Sequence, residues 1–229
     1  MFVPLHDHNA LKHISLHYVT LGLIAANVVV FIVLQAGGAE RATAALATTF
    51  GVIPREVTGL ALPAPGLFPE SVTLGSYMFI HGGWSHLIGN MLFLWVFGDN
   101  VEDALGHFRF LVFYFLCGIG AGLAHVALDP ASGVPLVGAS GAVAGVISAY
   151  LILHPRVRVW VLVLGRIPLR LSALWVLGAW IAMQIFAVLS PPGDNVAWWS
   201  HIGGLVVGAV LVVVLRRPGV PLFDRGLPR

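Results

Sequence analysis

The sequence predicts an all-α membrane protein whose six transmembrane helices form one bundle. Hydrophobic side chains make up 58% of the 229 residues and charged side chains only 10%, and the mean hydropathy is +0.91. These values lie far outside those of a water-soluble domain of this length. Six apolar runs account for about half of the chain, and basic residues are concentrated in alternate connections between them. Because little sequence remains for a separate core, we expect a single membrane domain.

The six runs extend over residues 19–35, 77–97, 108–128, 140–153, 171–189 and 198–215. The first is longer than the apolar core of a signal peptide and lacks a small-residue cleavage site, so we interpret it as a membrane span. The runs predict a cytoplasmic N-terminal segment over 1–18, a membrane domain over 19–215 and a cytoplasmic tail over 216–229. The single cysteine, Cys117, cannot form an internal disulfide and is expected to be a small core residue.

The connections predict the orientation of the chain. A long first outer loop, residues 36–76, contains Pro54, Pro63, Pro65 and Pro69, which interrupt any long helix. Two of the 12 basic residues, Arg41 and Arg55, fall in this loop, and the others fall on the opposite side together with both termini. The positive-inside rule therefore predicts cytoplasmic termini. Residues 157–167 contain arginines and are expected to be a cytoplasmic surface segment. No basic patch is interleaved with aromatic residues, so nucleic-acid binding is not expected.

The fourth run is too short to cross the bilayer unaided. A helix over residues 140–153 rises about 21 Å, whereas the hydrocarbon core is about 30 Å thick. If His154, Pro155 and Arg156 fix its cytoplasmic end, Ser140 begins the helix below the outer surface. Residues 129–137 must then dip inward, which irregular backbone does only where protein or water surrounds it. We therefore predict a water-filled cavity that reaches Ser140.

Ser140 and His201 are candidates for a nucleophile and its base. Polar groups at membrane depth are costly and are commonly functional. A serine hydroxyl becomes a good nucleophile when a neutral imidazole accepts its proton. Small residues spaced four apart let two helices approach closely, and both runs contain such a pair: Gly141 and Gly145, Gly204 and Gly208. From Ser140 alone, simple helix packing remains an open alternative.

His86 and Asn90 are candidates for stabilising an oxyanion. They lie four residues apart on one helical face, and both side chains can donate hydrogen bonds. The free N–H groups at the start of the helix at Ser140 add further donors. No carboxylate lies in runs four or six, and the nearest, Asp194, belongs to an outer loop, so we expect a Ser-His pair. An interhelical structural role for His86 and Asn90 remains open, and it is the preferred interpretation for other histidines such as His81 and His125.

The motifs His86-Leu-Ile-Gly-Asn90, Gly138-Ala-Ser-Gly141 and His201-Ile-Gly-Gly-Leu-Val-Val-Gly208 resemble those of the rhomboid intramembrane serine proteases. The resemblance implies that Ser140 is the nucleophile and His201 the general base. It also implies that His86, Asn90 and the Ser140 N–H form the oxyanion site. Its implied partners are membrane lipid and transmembrane protein substrates with small, helix-destabilising residues near the cut. No metal or cofactor is expected.

Two features depart from the family pattern. Some members have a tyrosine one turn after the serine that stacks on the histidine, and here that residue is Ala144. Many members carry a Trp-Arg pair in the first outer loop, and residues 36–76 contain none. The first departure predicts that other side chains hold the imidazole of His201.

Two other classes of function are alternatives. The first is a catalytically inactive rhomboid-like protein that binds membrane helices, although such a protein would be expected to lose the serine or histidine. The second is a small transporter, against which the lack of intramembrane carboxylates argues. Run five, with Trp175, Trp180 and Phe186, and the loop Pro191-Pro192-Gly193 are candidates for the gate and cap over a substrate. The sequence does not indicate an oligomeric state.

Overall fold

The computed structural model describes residues 2–37, 40–62, 69–163, 165–190 and 196–224. In these residues the chain is mostly helical, as predicted, with one small sheet. A π-helix, Phe31–Gln35, continues α1, and a 3-10 turn, Tyr77–Phe79, follows α4. The elements in chain order are β1 (Phe2–Asp7), α1 (Tyr18–Val30), α2 (Glu40–Phe50), α3 (Pro54–Val57), α4 (Glu70–Ser76), α5 (Trp84–Leu105), α6 (His107–Leu128), α7 (Ser140–Leu153), β2 (Arg158–Val163), β3 (Ile167–Ser172), α8 (Ala173–Leu189) and α9 (Trp198–Leu215).

Hydropathy located most of the long helices well. Helix α7 and helix α9 have the predicted bounds, and α6 begins one residue earlier than expected. Helix α8 begins at Ala173 because the two preceding residues belong to β3. Among the described residues, three helices are long and apolar enough to cross a membrane, namely Tyr18–Gln35, His107–Leu128 and Trp198–Leu215, while α7 and α8 are shorter apolar helices.

The predicted bounds of the second run were wrong. Helix α5 begins at Trp84, seven residues later than expected, and continues to Leu105. Its last two turns contain buried Glu102 and Asp103, which hydropathy assigns to a loop. Asp103 accepts hydrogen bonds from the backbone N–H groups of residues 12–14, and Glu102 accepts them from Val19 and Thr20. These bonds offset the cost of burying the carboxylates, so the helix continues through them.

A three-stranded antiparallel sheet, in the order β1-β2-β3, was not predicted. Strand β2 pairs with β1 from Phe2↔Val163 to Asp7↔Val159, and a register irregularity lies between Pro4 and His6. Its Val159 and Val161 are buried, while Arg158 and Trp160 are exposed. Strand β1 is therefore part of the N-terminal segment, and strand β2 takes up much of residues 157–167. This period-2 alternation was visible in the sequence.

The described residues of the long segment between α1 and α5 form three short helices, α2 to α4. As predicted, prolines separate them: α3 begins at Pro54 and α4 follows Pro69. Val52 forms an antiparallel bridge with Leu136, which fastens this loop to the segment before α7. Several residues named above lie outside the described part of the chain: Pro63, Pro65, Pro191, Pro192, Gly193, Asp194 and the last residues of the tail.

Helix α7 lies at the centre of the core: the ten consecutive residues from Gly141 to Tyr150 are all buried, and so is Leu153. Its contact with α9 is close because glycines face backbone across it. A Cβ added at Gly204 would collide with the carbonyl oxygen of Gly141, and one at Gly208 would collide with that of Gly145. The predicted role of the glycine pairs is confirmed. Cys117 packs against Gly145 on the other side and is fully buried, as expected.

Candidate active site

A glycine-dependent turn sets the position of Ser140. Gly138 has φ +109°, a conformation that residues with a Cβ rarely adopt. Its N–H donates a 2.9 Å hydrogen bond to the carbonyl of Tyr77, and the ring of His86 lies where a Cβ would be. The chain then enters α7, with Ser140 as its first residue. The first N–H groups of a helix have no acceptor within the helix, so donors surround the serine.

The structure brings Ser140 and His201 together. The Nε2 atom of His201 lies 2.9 Å from the Ser140 Oγ atom, within hydrogen-bonding distance. Ser140 begins α7, and His201 lies in the first turn of α9, so both belong to the same end of the bundle. The close glycine contacts between α7 and α9 allow the two side chains to approach to this distance. Both residues are only partly buried.

The other nitrogen of the imidazole has a partner that the sequence analysis missed. The Nδ1 atom of His201 lies 2.7 Å from the Oε1 atom of Gln184, on α8. The ring also contacts two indoles, with centroid distances of 6.1 Å to Trp180 and 5.6 Å to Trp198. Ala144, which replaces the stacking tyrosine, is fully buried. The imidazole is therefore held by groups on α8 and α9. Gln184 is the one amide in the apolar sequence of α8, and that signal could have identified it.

His86 and Asn90 lie in the first two turns of α5, beside the serine. The Asn90 amide donates to the His86 carbonyl at 2.9 Å, which leaves its second N–H available. The N–H of Gly82 points to the His86 Nδ1 atom at 3.3 Å. A neutral imidazole that accepts at Nδ1 carries its proton at Nε2, which makes His86 a donor. The loop before α5 is fixed by two hydrogen bonds between Gln35 and the backbone of His81.

A cavity of about 630 Å³ connects these groups. Ser140, His201, His86 and Asn90 all line it, so all four predicted site residues share one cavity. The segment 134–137, which precedes α7, forms part of its wall. Further polar lining residues were not predicted: His125 and Asp129. His81 is fully buried behind His86, with its ring edge-on at 5.2 Å.

The arrangement has the components of an acyl-transfer site. A hydroxyl faces an imidazole, a further group hydrogen-bonds to that imidazole, and the donor groups of His86 and Asn90 line the same cavity. Within the described ranges, no group of three or more His, Cys, Asp or Glu side chains is placed to hold a metal ion.

Comparison with known proteins gives the same family as the motifs. A family model described as the Rhomboid domain matches residues 69–218. The chain is 32% identical over 155 residues to Rhomboid-like protein 11, chloroplastic, of Arabidopsis thaliana, covering 66% of this chain and 54% of the relative. It is 31% identical over 148 residues to Rhomboid protease GluP of Bacillus subtilis, covering 65% and 27%. It is 31% identical over 160 residues to Rhomboid protease AarA of Providencia stuartii, covering 59% and 53%.

The chain thus spans about half the length, or less, of these relatives. The matched region includes α5 to α9 and therefore every residue of the cavity discussed above. Together with the apolar helices, the match identifies an integral membrane protein. The chain belongs to the rhomboid family.

Proposed function

We propose that the protein is an intramembrane serine endopeptidase that hydrolyses peptide bonds in or near transmembrane segments of membrane proteins. The observation that carries this proposal is the 2.9 Å approach of the Ser140 hydroxyl to the His201 imidazole, within a cavity that also contains His86 and Asn90. Two of the relatives, from Bacillus subtilis and Providencia stuartii, are named rhomboid proteases.

In the proposed first step, the Ser140 Oγ atom attacks the carbonyl carbon of the scissile peptide bond. The His201 Nε2 atom accepts the hydroxyl proton as the new C–O bond forms. When the tetrahedral intermediate collapses, the C–N bond breaks and the imidazolium gives that proton to the leaving amine. The products are a free amine and an acyl group attached to Ser140.

The intermediate carries negative charge on its former carbonyl oxygen. Three donors from residues that line the cavity support a role in stabilising it: the Ser140 backbone N–H, the second N–H of Asn90 and the Nε2–H of His86. Donors fixed in advance by the protein stabilise such a charge strongly because they need little reorganisation. Hydrolysis is completed when a water molecule attacks the acyl carbon while His201 accepts its proton. The acyl C–O bond to Ser140 then breaks, and the imidazolium gives the proton to the Ser140 Oγ atom.

A membrane orientation follows from the same proposal. We infer that α1 with its π-helical extension and helices α5 to α9 are the six spans, and that both termini are cytoplasmic in a bacterial inner membrane. The bias of basic residues supports this orientation. In that orientation the short helix α7 begins below the outer membrane surface, and water reaches Ser140 through the cavity.

A serine-reactive phosphonate probe tests the proposal. We expect covalent labelling of the purified wild-type protein, loss of labelling in Ser140→Ala, and unchanged labelling in Ser148→Ala. Ser148 is a matched control because it lies on the same helix with its hydroxyl bonded to the Gly145 carbonyl. Absence of labelling in well-folded wild-type protein would contradict the proposal and favour a helix-binding relative without activity.

Cleavage of membrane substrates is the complementary measurement. Incubation with a panel of single-span proteins, followed by mass spectrometry of the fragments, is expected to locate cut sites in or near the spans. The rate is expected to fall in acid, because a protonated imidazole cannot accept the serine proton. A rate that stayed flat down to the lowest pH at which the protein remains folded would contradict the role of His201 as base.

A further inference from the structure

The only polar side chain on the buried face of α8 points at the candidate base. The buried residues of this helix are Ala173, Val176, Leu177 and Gln184. Gln184 is 1% exposed, and its Oε1 atom lies 2.7 Å from the His201 Nδ1 atom. A buried amide needs hydrogen-bond partners, because leaving it unpaired costs its full desolvation penalty. We propose that Gln184 is a positioning residue that fixes the orientation and tautomer of His201 for proton transfer from Ser140. This inference rests on the proposed function.

The hydrogen bonds around Gln184 determine which of its atoms faces the imidazole. Its Nε2 group donates to the carbonyl of Trp180, one turn earlier, at 3.2 Å. The amide oxygen is therefore the atom directed at His201, and an oxygen of this kind can only accept. The proton of the neutral imidazole must then lie on Nδ1. That leaves the lone pair of Nε2 facing the Ser140 hydroxyl at 2.9 Å, as a general base requires.

An uncharged partner suits this location better than a carboxylate. An isolated carboxylate is far more costly to bury than an amide, which keeps its second group bonded within α8. The amide supplies the orienting acceptor without adding a charge next to the imidazole. The titratable side chains around His201 come from other helices: Ser140 on α7, His86 on α5 and His125 on α6, with Asp129 also on the cavity wall. Gln184 therefore orients the imidazole, as the carboxylate of a catalytic triad does, but it adds no negative charge.

The bond also connects two helices that otherwise share little buried surface. Much of α8 is exposed, including its large side chains Trp175, Met183 and Phe186. The Gln184–His201 hydrogen bond ties this helix to α9 at the level of the candidate nucleophile. Proton transfer from Ser140 is then sensitive to the position of α8.

Two substitutions separate orientation from packing. Gln184→Met keeps the length of the side chain but removes the acceptor, and Gln184→Glu keeps an acceptor and adds a charge. We expect Gln184→Met to lower kcat about 10- to 100-fold with little change in KM, the range found for groups that orient a catalytic side chain. Gln184→Glu is expected to recover part of kcat and to move the acid limb of the kcat/KM profile by about one pH unit to higher pH, because a negative charge stabilises the imidazolium. Met183→Ala, at the exposed neighbour of Gln184, is the control. It is expected to leave kcat and the pH profile of kcat/KM unchanged.

The tautomer itself is measured without catalysis. In protein labelled with ¹⁵N-histidine, the imidazole resonances of His201 are identified by their loss in His201→Gln. We expect an Nδ1-protonated ring in the wild type and loss of this preference in Gln184→Met. If wild type and Gln184→Met have the same tautomer and the same kcat, the positioning role is overturned while proteolysis stands. If the wild type has the expected tautomer but is not labelled by the phosphonate probe, the proposed function fails and the positioning of His201 by Gln184 stands.

Discussion

Polar side chains lie at both ends of the helix bundle, but they are satisfied to different extents. At the sheet end, Glu102 accepts hydrogen bonds from Val19, from the N–H and hydroxyl of Thr20, and it contacts His107 at 2.5 Å. Asp103 accepts three more from backbone N–H groups. Both carboxylates are almost completely inaccessible, at 0% and 7% exposed. Their hydrogen-bonding capacity is used within the protein, so their role is to hold the N-terminal segment and the start of α1 in place.

At the other end, the polar groups retain capacity for a ligand. Ser140 and His201 face a cavity, and Asn90 and His86 each keep a donor that the protein does not use. The number of hydrogen bonds that a polar group makes within the protein therefore separates groups that stabilise the fold from groups that are available to a ligand. A fully bonded group stabilises the fold, whereas a partly bonded group beside a cavity is available for chemistry. Substitutions at the two ends should therefore affect different measurements.

The largest expected effect is at Ser140 and His201. Ser140→Ala and His201→Gln are each expected to lower kcat by at least about 10³-fold. Without Ser140 there is no nucleophile, and without His201 no base accepts the proton of the serine hydroxyl. Their thermal unfolding should change little, since both side chains are only partly buried. Rates on a single-span substrate and melting curves in detergent check this.

Asp103→Asn is the counterpart from the sheet end. It should lower the melting temperature, because hydrogen bonds to a charged acceptor each contribute about 1.5–3 kcal/mol, while the folded variant keeps its kcat. If Asp103→Asn abolished turnover in protein that remained folded, the assignment of a structural role alone to the sheet end would be wrong.

The next effect is at Asn90. Asn90→Ala is expected to lower kcat on the order of 10²-fold, as for the loss of other oxyanion donors, with little effect on folding. Asn100→Ala is the matched control on the same helix, because Asn100 lies at the sheet end and bonds to Asp99. Equal turnover in Asn90→Ala and wild type would remove Asn90 from the site.

The close contact of α7 and α9 is expected to affect stability and activity together. Gly204→Ala places a methyl group against the Gly141 carbonyl, and overpacking of this kind costs about 1–3 kcal/mol. The helices must separate, so the Ser140–His201 distance grows and kcat falls along with the melting temperature. Gly178→Ala on α8 is the control, since nothing lies within 4 Å of its added Cβ. A Gly204→Ala variant with normal stability and turnover would contradict the packing interpretation.

The sequence predicted the functional end better than the sheet end, for a physical reason. Ser140, His201 and their glycines stand out because polar and small residues are conspicuous in apolar runs, and α7 and α9 were located to the residue. At the sheet end, Glu102 and Asp103 extend α5 beyond its apolar part only because backbone groups from far along the chain bind them. Hydropathy considers each residue with its sequence neighbours, and it therefore cannot recognise such long-range pairing.

Gln184 was missed for a related reason. Its contact with His201 depends on the proximity of α8 to α9 and on the orientation of the side-chain amide. A local sequence pattern contains neither. Strand β2, by contrast, carried a local signal in the alternation around Val159 and Val161. The arginines beside them led instead to the expectation of a surface segment.

The smallest expected effect is a pH dependence of stability at the sheet end. Asp7 is 5% exposed, and the Tyr150 hydroxyl donates to it at 2.5 Å. Burial raises the pKa of Asp7 to about 6, against the smaller opposing effect of the Tyr150 hydrogen bond. The folded protein thus favours the protonated carboxyl. The stabilisation is complete below about pH 4, the unfolded value, and it is lost as the pH rises through about 6.

We therefore expect the melting temperature of the wild type to fall by a few degrees more than that of Asp7→Asn between about pH 5 and about pH 7.5. The asparagine stays neutral over this range and imitates the protonated acid, so other titrating groups cancel in the difference between the two curves. Turnover, by contrast, should fall only at the acid extreme, where protonation of His201 removes the base. Parallel melting curves for the two proteins would mean that Asp7 is already charged in the fold. The N-terminal strand would then be held at neutral pH by its pairing with β2 and by the Tyr150 hydrogen bond, with no penalty from a buried charge.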